Sequence, residues 1–145
     1  MLKSAFTPKL LVAGAIALAA TQASADVTIG VVMSMTGPAS GLGIPIGNQI
    51  KLWPKKIGGE NVKVILLDDA TDPTKGVQNA KRLVTEDNVD VIAGSVATPV
   101  AIPIAGVAAE SGTLQLALAP AVLPPGQDTW TFRLPQSTAL MAHAI

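Results

Sequence analysis

Val91-Ile92-Ala93-Gly94-Ser95-Val96-Ala97-Thr98-Pro99 decides the fold, because a short apolar run stops at a glycine and a helix start follows at once. Val91 to Ala93 reads as a buried strand. Thr98 reads as an N-cap whose hydroxyl accepts from an early helical N–H, and Pro99 as the first helical residue, where the missing N–H costs nothing. Such a junction presents unpaired backbone donors and roughly half a positive charge, so it can receive a carboxylate or phosphate without Lys or Arg. Taken alone, the same residues also describe a threonine that merely caps its own helix, and the rest of the chain must carry the weight.

On the N-terminal side, Val27 to Met33 is β-branched and nearly all apolar, the pattern of a strand covered on both faces. Ser34 to Gly47, rich in Gly, Ser and Pro, reads as a long working loop. Ile46, Ile50, Trp53 and Ile57 then fall at helical spacing, with Pro54 kinking that helix and Gly58-Gly59 ending it. Val62 to Leu67 is a second strand, closing on Asp68-Asp69. Asp72-Pro73 opens a second helix with a capping oxygen followed by proline, and Val77, Ala80 and Val84 form its buried stripe.

On the C-terminal side, Pro99 to Ser111 is a third helix interrupted by Pro103, and Gly112 supplies its left-handed exit. Leu114 to Leu118 is a fourth strand, Ala119 to Asp128 a Pro-rich loop, and Thr129 to Leu134 a short fifth strand. Strand and helix alternate at the spacing of βαβ units, which predicts an α/β fold: a Rossmann-like parallel sheet with helices on both faces. Ligands of such sheets sit beyond the carboxyl ends of the strands. The loops at that edge are Ser34 to Gly47, Asp68 to Asp72, Ser95 to Thr98, and Ala119 to Val122. After Arg133-Leu134-Pro135 a helix begins near Gln136, and the domain reads as incomplete at Ile145.

The 145 residues are 49% hydrophobic and 14% charged, a composition that buries one core. Part of the apolar excess lies in residues 1–25, which read as a cleavable export signal. Lys3 and Lys9 form its basic start, Leu10 to Ala20 its apolar run, and Ala23-Ser24-Ala25 its cleavage site. The apolar run is shorter than a membrane span. Export implies a periplasmic product beginning at Asp26. Losing Lys3 and Lys9 leaves 8 basic against 10 acidic residues, a net charge of −2 with His143 neutral. That balance makes nucleic acid and anionic membrane poor partners. The absence of Cys excludes thiolate metal sites and cysteine nucleophiles, and a single histidine argues against a histidine triad or a multi-histidine site. No cofactor or metal is expected. Asp68, Asp69 and Asp72 read as one cap and two solvated acids rather than as a cation site.

Three segments carry a resemblance. They are Ile29-Gly30-Val31 with Met35-Thr36-Gly37-Pro38-Ala39, Asp68-Asp69-Ala70-Thr71-Asp72-Pro73 running on to Lys81-Arg82-Leu83-Val84, and Val91-Ile92-Ala93-Gly94 with Ser95, Thr98, Ala101 and Pro103. Together they resemble the Leu/Ile/Val type of periplasmic solute-binding protein of bacterial ABC uptake systems. The resemblance implies the first lobe, over 26–135, of a two-lobed type I periplasmic binding protein that closes over a small ligand. Residues 136–145 would then start the helix into a second lobe, and a membrane permease of an ABC transporter would be the partner.

By that resemblance the first lobe holds the ligand's carboxylate, and Ser95, Ala97 and Thr98 take that place, with either hydroxyl able to point inward. Ala119, Pro120 and Ala121 take the next loop, where amino-acid binders commonly place Thr or Ser. Losing that hydroxyl makes the pocket more apolar and leaves an amino acid, an aromatic acid or another small organic acid as the ligand. Ser40, Leu42 and Gly43 lie on the first loop, and one of them is assigned to cover it. Trp53 reads as core. The rival readings are a truncated remnant without transport function and a nucleotide-dependent enzyme. For the latter, Gly41, Gly43 and Gly47 lie too far past Met33 and are wrongly spaced for the dinucleotide fingerprint. One lobe alone is expected to bind ligand weakly or not at all.

Overall fold

Val27–Met33 forms β1 at the centre of a six-stranded sheet, in a computed structural model that describes residues 26–143. The segment read as an export signal lies outside the described residues. The remaining strands are β2 (Lys56–Ile57), β3 (Glu60–Asp68), β4 (Val91–Gly94), β5 (Leu114–Ala117) and β6 (Thr131–Arg133). The helices are α1 (Ser40–Ile50), α2 (Pro73–Thr85), α3 (Thr98–Ser111) and α4 (Thr138–His143). Strand order across the sheet is β2-β3-β1-β4-β5-β6. Every pairing is parallel except that of β2 with β3.

The chain therefore leaves β1 for β3 on one side and returns to β4 on the other, so connections reverse direction at β1. Alternate residues of a strand face opposite ways, and two cores result. Val32 and Ile92 pack with Ala80 and Leu83 of α2 and Val100, Ile104 and Val107 of α3. Val31, Met33 and Ala93 face the other way, with Ile50 of α1 and the half-buried Met35, Ile46 and Trp53. Trp53 is half-buried and packs against this core, in line with the expectation that it serves packing. The helices α2 and α3 approach closely at Gly76, where a Cβ would run into the Val100 side chain.

The starts and stops follow local chemistry where the sequence carries it. Asp72 accepts from the Lys75 N–H at 2.8 Å and Pro73 begins α2. Gly112 leaves α3 with φ at 66°.

Two expectations are corrected. The long loop from Ser34 to Gly47 is short, because α1 already starts at Ser40 and carries Pro45 inside it. Its glycines serve approach rather than flexibility. A Cβ on Gly43 would strike the Ser34 carbonyl, and one on Gly47 would sit 2.7 Å from the Met35 sulfur. Packing against the sheet thus overrides poor helix propensity. The helix expected through Pro54 instead ends at Ile50, since a residue preceding proline is pushed out of the α region. Gly58 and Gly59, both at positive φ, then close the β2–β3 hairpin rather than a helix.

Candidate functional site

The carboxyl ends of β1 and β4 lie side by side where the connections reverse, and ligands of open α/β sheets bind at that position. Ser34 follows β1, Ser95 follows β4, and Asp69 follows β3. All three are fully buried. The Ser34 hydroxyl donates to Asp69 Oδ1 at 2.7 Å and the Ser95 hydroxyl to Oδ2 at 2.7 Å, while the Thr71 N–H reaches Oδ1 at 2.8 Å. The two serine oxygens lie 3.4 Å apart. A hydroxyl has one proton, and both are committed to the same carboxylate.

Asp68 organises the rim as Asp69 organises the floor. Its Oδ1 accepts from the N–H groups of Met35 (2.9 Å), Thr36 (3.1 Å) and Ala70 (2.9 Å), and its Oδ2 from the Thr36 hydroxyl (2.6 Å). Partial burial pushes its pKa up, but the Thr36 hydroxyl and the N–H groups of Ala70, Thr36 and Met35 outweigh that and bring it down to about 2. The expectation of two solvated acids therefore fails for Asp69, which is fully buried, whereas Asp68 stays partly exposed but is bonded by donors of the first loop. Each oxygen of both carboxylates accepts at least one hydrogen bond from the neighbouring loops. Asp68 Oδ2 also faces the Lys75 ammonium at 3.8 Å.

The turn between these acids and α2 is tight. Asp72 N–H donates to the Asp69 carbonyl at 2.8 Å across Ala70 and Thr71, both left-handed with φ of 53° and 63°. Thr71 in turn holds the first loop, accepting from Ala39 N–H at 3.1 Å and donating to the Thr36 carbonyl at 3.3 Å.

Gly94, at φ 122°, lets β4 pass so near β1 that a Cβ would collide with the Val32 carbonyl. Ala97, not Thr98, occupies the N-cap position of α3, and no side chain caps that helix. The reason is register: Thr98 already has helical geometry, so its hydroxyl cannot turn back on the first free N–H groups. Among the described residues, the Thr98 hydroxyl and the N–H groups of Val96 and Thr98 donate to no protein atom, whereas Ala97 N–H lies 3.4 Å from the Ser95 oxygen. Thr98 is half-buried. At the start of α3, the described residues Val96 and Thr98 thus carry unfilled donors.

Beyond β5, the neighbour of β4, Ala119 and Ala121 are buried and Pro120 half-buried, with Ala121 N–H turned back on the Ala119 carbonyl at 2.8 Å. Pro120 and Ala121 wall a cavity of 280 Å³ together with Arg133. The Arg133 guanidinium lies 3.3 Å from the Ala121 carbonyl. The sequence places this arginine only near the end of a short strand, before the next helix begins, and the signal for it is a cation at the carboxyl edge of β6. On α1, Ser40 is half-buried, Leu42 is 63% exposed, and Gly43 faces the Ser34 carbonyl. The structure thus brings Ser95, Ala97 and Thr98 onto one turn, sets Ala119 to Ala121 on the adjacent loop, and places Ser40, Leu42 and Gly43 on the helix that follows β1.

The sequence profile described as "Periplasmic binding protein" matches residues 26–145. The chain belongs to that family. It is similar to a Leu/Ile/Val-binding protein of Rhizobium johnstonii, 36% identical over 100 residues that make up 65% of this chain and 27% of the relative. Among solved structures, an extracellular ligand-binding receptor from Rhodopseudomonas palustris HaA2 matches with a TM-score of 0.79 at 41% identity, over 83% of this chain and 34% of that one. A solute-binding protein of an ABC transporter from Rhodopseudomonas palustris BisB5, in complex with 3,4-dihydroxybenzoic acid, matches with a TM-score of 0.66 at 28% identity, over 74% of this chain and 31% of that one. The sheet is that of a type I periplasmic binding protein, and the chain spans about a third or less of the length of these relatives.

Proposed function

We propose that the chain contributes the carboxylate-receiving lobe of a periplasmic solute-binding protein that delivers its ligand to an ABC transporter permease, without catalysis. The observation that carries this reading is the uncapped start of α3, where the Val96 and Thr98 N–H groups and the Thr98 hydroxyl find no acceptor among the described residues, beside the reversal point of the sheet. Of the two hydroxyls that the resemblance offers, the buried Ser95 is committed to Asp69, so Thr98 takes the ligand-facing role. Pro120, half-buried between the buried Ala119 and Ala121, makes the adjoining wall apolar, and one of Ser40, Leu42 and Gly43, at the start of α1, covers the ligand.

In this reading residues 1–25 are the export signal, 26–135 the first lobe, and 136–145 the lead into a second lobe that completes the cage by closure. The ligand is a small carboxylate-bearing solute. The Leu/Ile/Val-binding and 3,4-dihydroxybenzoate-bound relatives support two candidates, an aliphatic amino acid and a hydroxylated aromatic acid. The wall without a hydroxyl favours the second.

Calorimetric titration of the complete exported protein with L-leucine and with 3,4-dihydroxybenzoate tests the reading. Binding of one of them, weakened by Thr98→Ala by about 1 to 3 kcal/mol, is the expected result. Unchanged affinity in Thr98→Ala would remove the site.

A further inference from the structure

Asp69 is a fully buried carboxylate whose nearest partners are two serine hydroxyls and one backbone N–H, with no cation among them. A buried acid is costly unless its oxygens are well supplied with donors, so this one marks a place where the fold has to hold several segments together. The segments are specific. Ser34 opens the loop after β1, Thr71 lies in the turn before α2, and Ser95 opens the turn that leads to Thr98.

We infer that Asp69 is a positioning residue for ligand binding: through Ser95 it fixes the turn whose Val96 and Thr98 donors receive the ligand carboxylate. The inference rests on the proposed function above. Ser95 has one proton, and at 2.7 Å it goes to Asp69 Oδ2, so the hydroxyl's remaining capacity is to accept. The Ala97 N–H, 3.4 Å from that oxygen, points toward this lone-pair side. Asp69 thereby orients the hydroxyl, and the hydroxyl steadies the residue that caps α3 in the absence of any capping side chain. A carboxylate is read by donors held at fixed positions before it arrives, so a loosened turn loses preference for the anion over its neutral analogue.

The competing role for Asp69 is bulk stability, and Ser34 measures that. It donates to the same carboxylate over the same 2.7 Å, but from the β1 loop. The complete exported protein and the variants Asp69→Asn, Ser95→Ala, Ser34→Ala and the Asp69→Asn/Ser95→Ala double are titrated with 3,4-dihydroxybenzoate against 3,4-dihydroxybenzamide, and with L-leucine against L-leucinamide. Circular dichroism melts confirm that each variant is folded at the assay temperature. The quantity read is the ratio of carboxylate to amide affinity, which a loss of global stability does not move in a folded sample.

The expected result is a ratio lowered by about fivefold or more in Asp69→Asn and in Ser95→Ala, no further loss in the double variant, and a wild-type ratio in Ser34→Ala despite a similar drop in melting temperature. A folded Asp69→Asn with an unchanged or raised ratio would overturn the inference, because removing a buried negative charge without disturbing the turn should, if anything, help an anion. Loss of the ratio in Ser34→Ala equal to that in Ser95→Ala would overturn it as well. Failure of the wild type to bind any of the four probes, or an unchanged ratio in Thr98→Ala, would overturn the proposed function itself. Should Asp69→Asn fail to fold, the contrast between Ser95→Ala and Ser34→Ala decides.

Discussion

Gln115 holds the Gly94 carbonyl at 3.0 Å through its side-chain amide, so a residue of β5 pins the turn that leaves β4. The same nitrogen reaches the Ala101 carbonyl in α3 at 3.1 Å, and the side-chain oxygen accepts from the Thr131 hydroxyl on β6 at 2.9 Å. One buried amide thus ties three strands to the helix that opens at Thr98. With Asp69 on the other side of Ser95, the site turn is clamped between two satisfied polar groups.

Replacing that amide by an apolar group of similar size isolates its contribution. Gln115→Leu fills the volume but strands two carbonyls and one hydroxyl in the interior, and is expected to lower stability by about 2 to 4 kcal/mol. Denaturant unfolding followed by circular dichroism measures it. A loss under about 0.5 kcal/mol would mean that water replaces the amide.

Asp68 makes stability depend on acid. Its carboxyl is held at about 2 in the folded chain against an ordinary value of 3.8, so between these values the unfolded chain binds more protons than the folded one. The stabilisation is complete above about pH 4 and is lost as pH falls toward 2. With the side chain 28% exposed, the effect is on the order of 1 to 2 kcal/mol after allowance for solvent screening. In Asp68→Asn the slope of stability against pH in this window should flatten. An identical slope in the variant would assign the acid sensitivity to other carboxylates.

The sheet was legible because its information is local: apolar β-branched runs, Asp72-Pro73 at a helix start, and Gly112 at a helix end all act within a few residues. The helix α1 was not, since Gly43, Pro45 and Gly47 speak against a helix until Ser34 and Met35 are known to lie against it. The site divided the same way. The turn after β4 could be located from its own residues, but the destination of the Ser95 proton depends on Asp69, 26 residues earlier. Likewise the two acids look like solvated charges until the donors of the first loop are folded onto them.

Backbone strain at the turn before α2 offers a stabilising change. Ala70 lies at φ 53°, a conformation that costs a residue with a Cβ about 1 kcal/mol and costs glycine little. Ala70→Gly is therefore expected to raise the melting temperature, the gain being reduced by the greater freedom of glycine in the unfolded chain. Gly43→Ala tests the opposite principle. Its Cβ would meet the Ser34 carbonyl, and a loss of about 1 to 3 kcal/mol is expected as α1 is pushed off β1. A neutral Gly43→Ala would show that α1 is free to shift.

On the face that α1 shares with the sheet, Ala93, Leu116, Leu118 and Leu134 line a groove of 300 Å³ alongside Ile46 and Trp53. An open apolar surface of this kind takes up amphipathic dyes, and Trp53 sits within energy-transfer range of anything held there. The chain has two tryptophans, so Trp130→Phe leaves Trp53 as the only indole. In that background, 1-anilinonaphthalene-8-sulfonate added to residues 26–145 should show emission sensitised by Trp53. Leu118→Glu, which places a carboxylate in the groove, should reduce that emission several-fold while leaving the far-ultraviolet circular dichroism unchanged. Equal sensitised emission in the two proteins would place the dye elsewhere and mean that the groove is closed in solution.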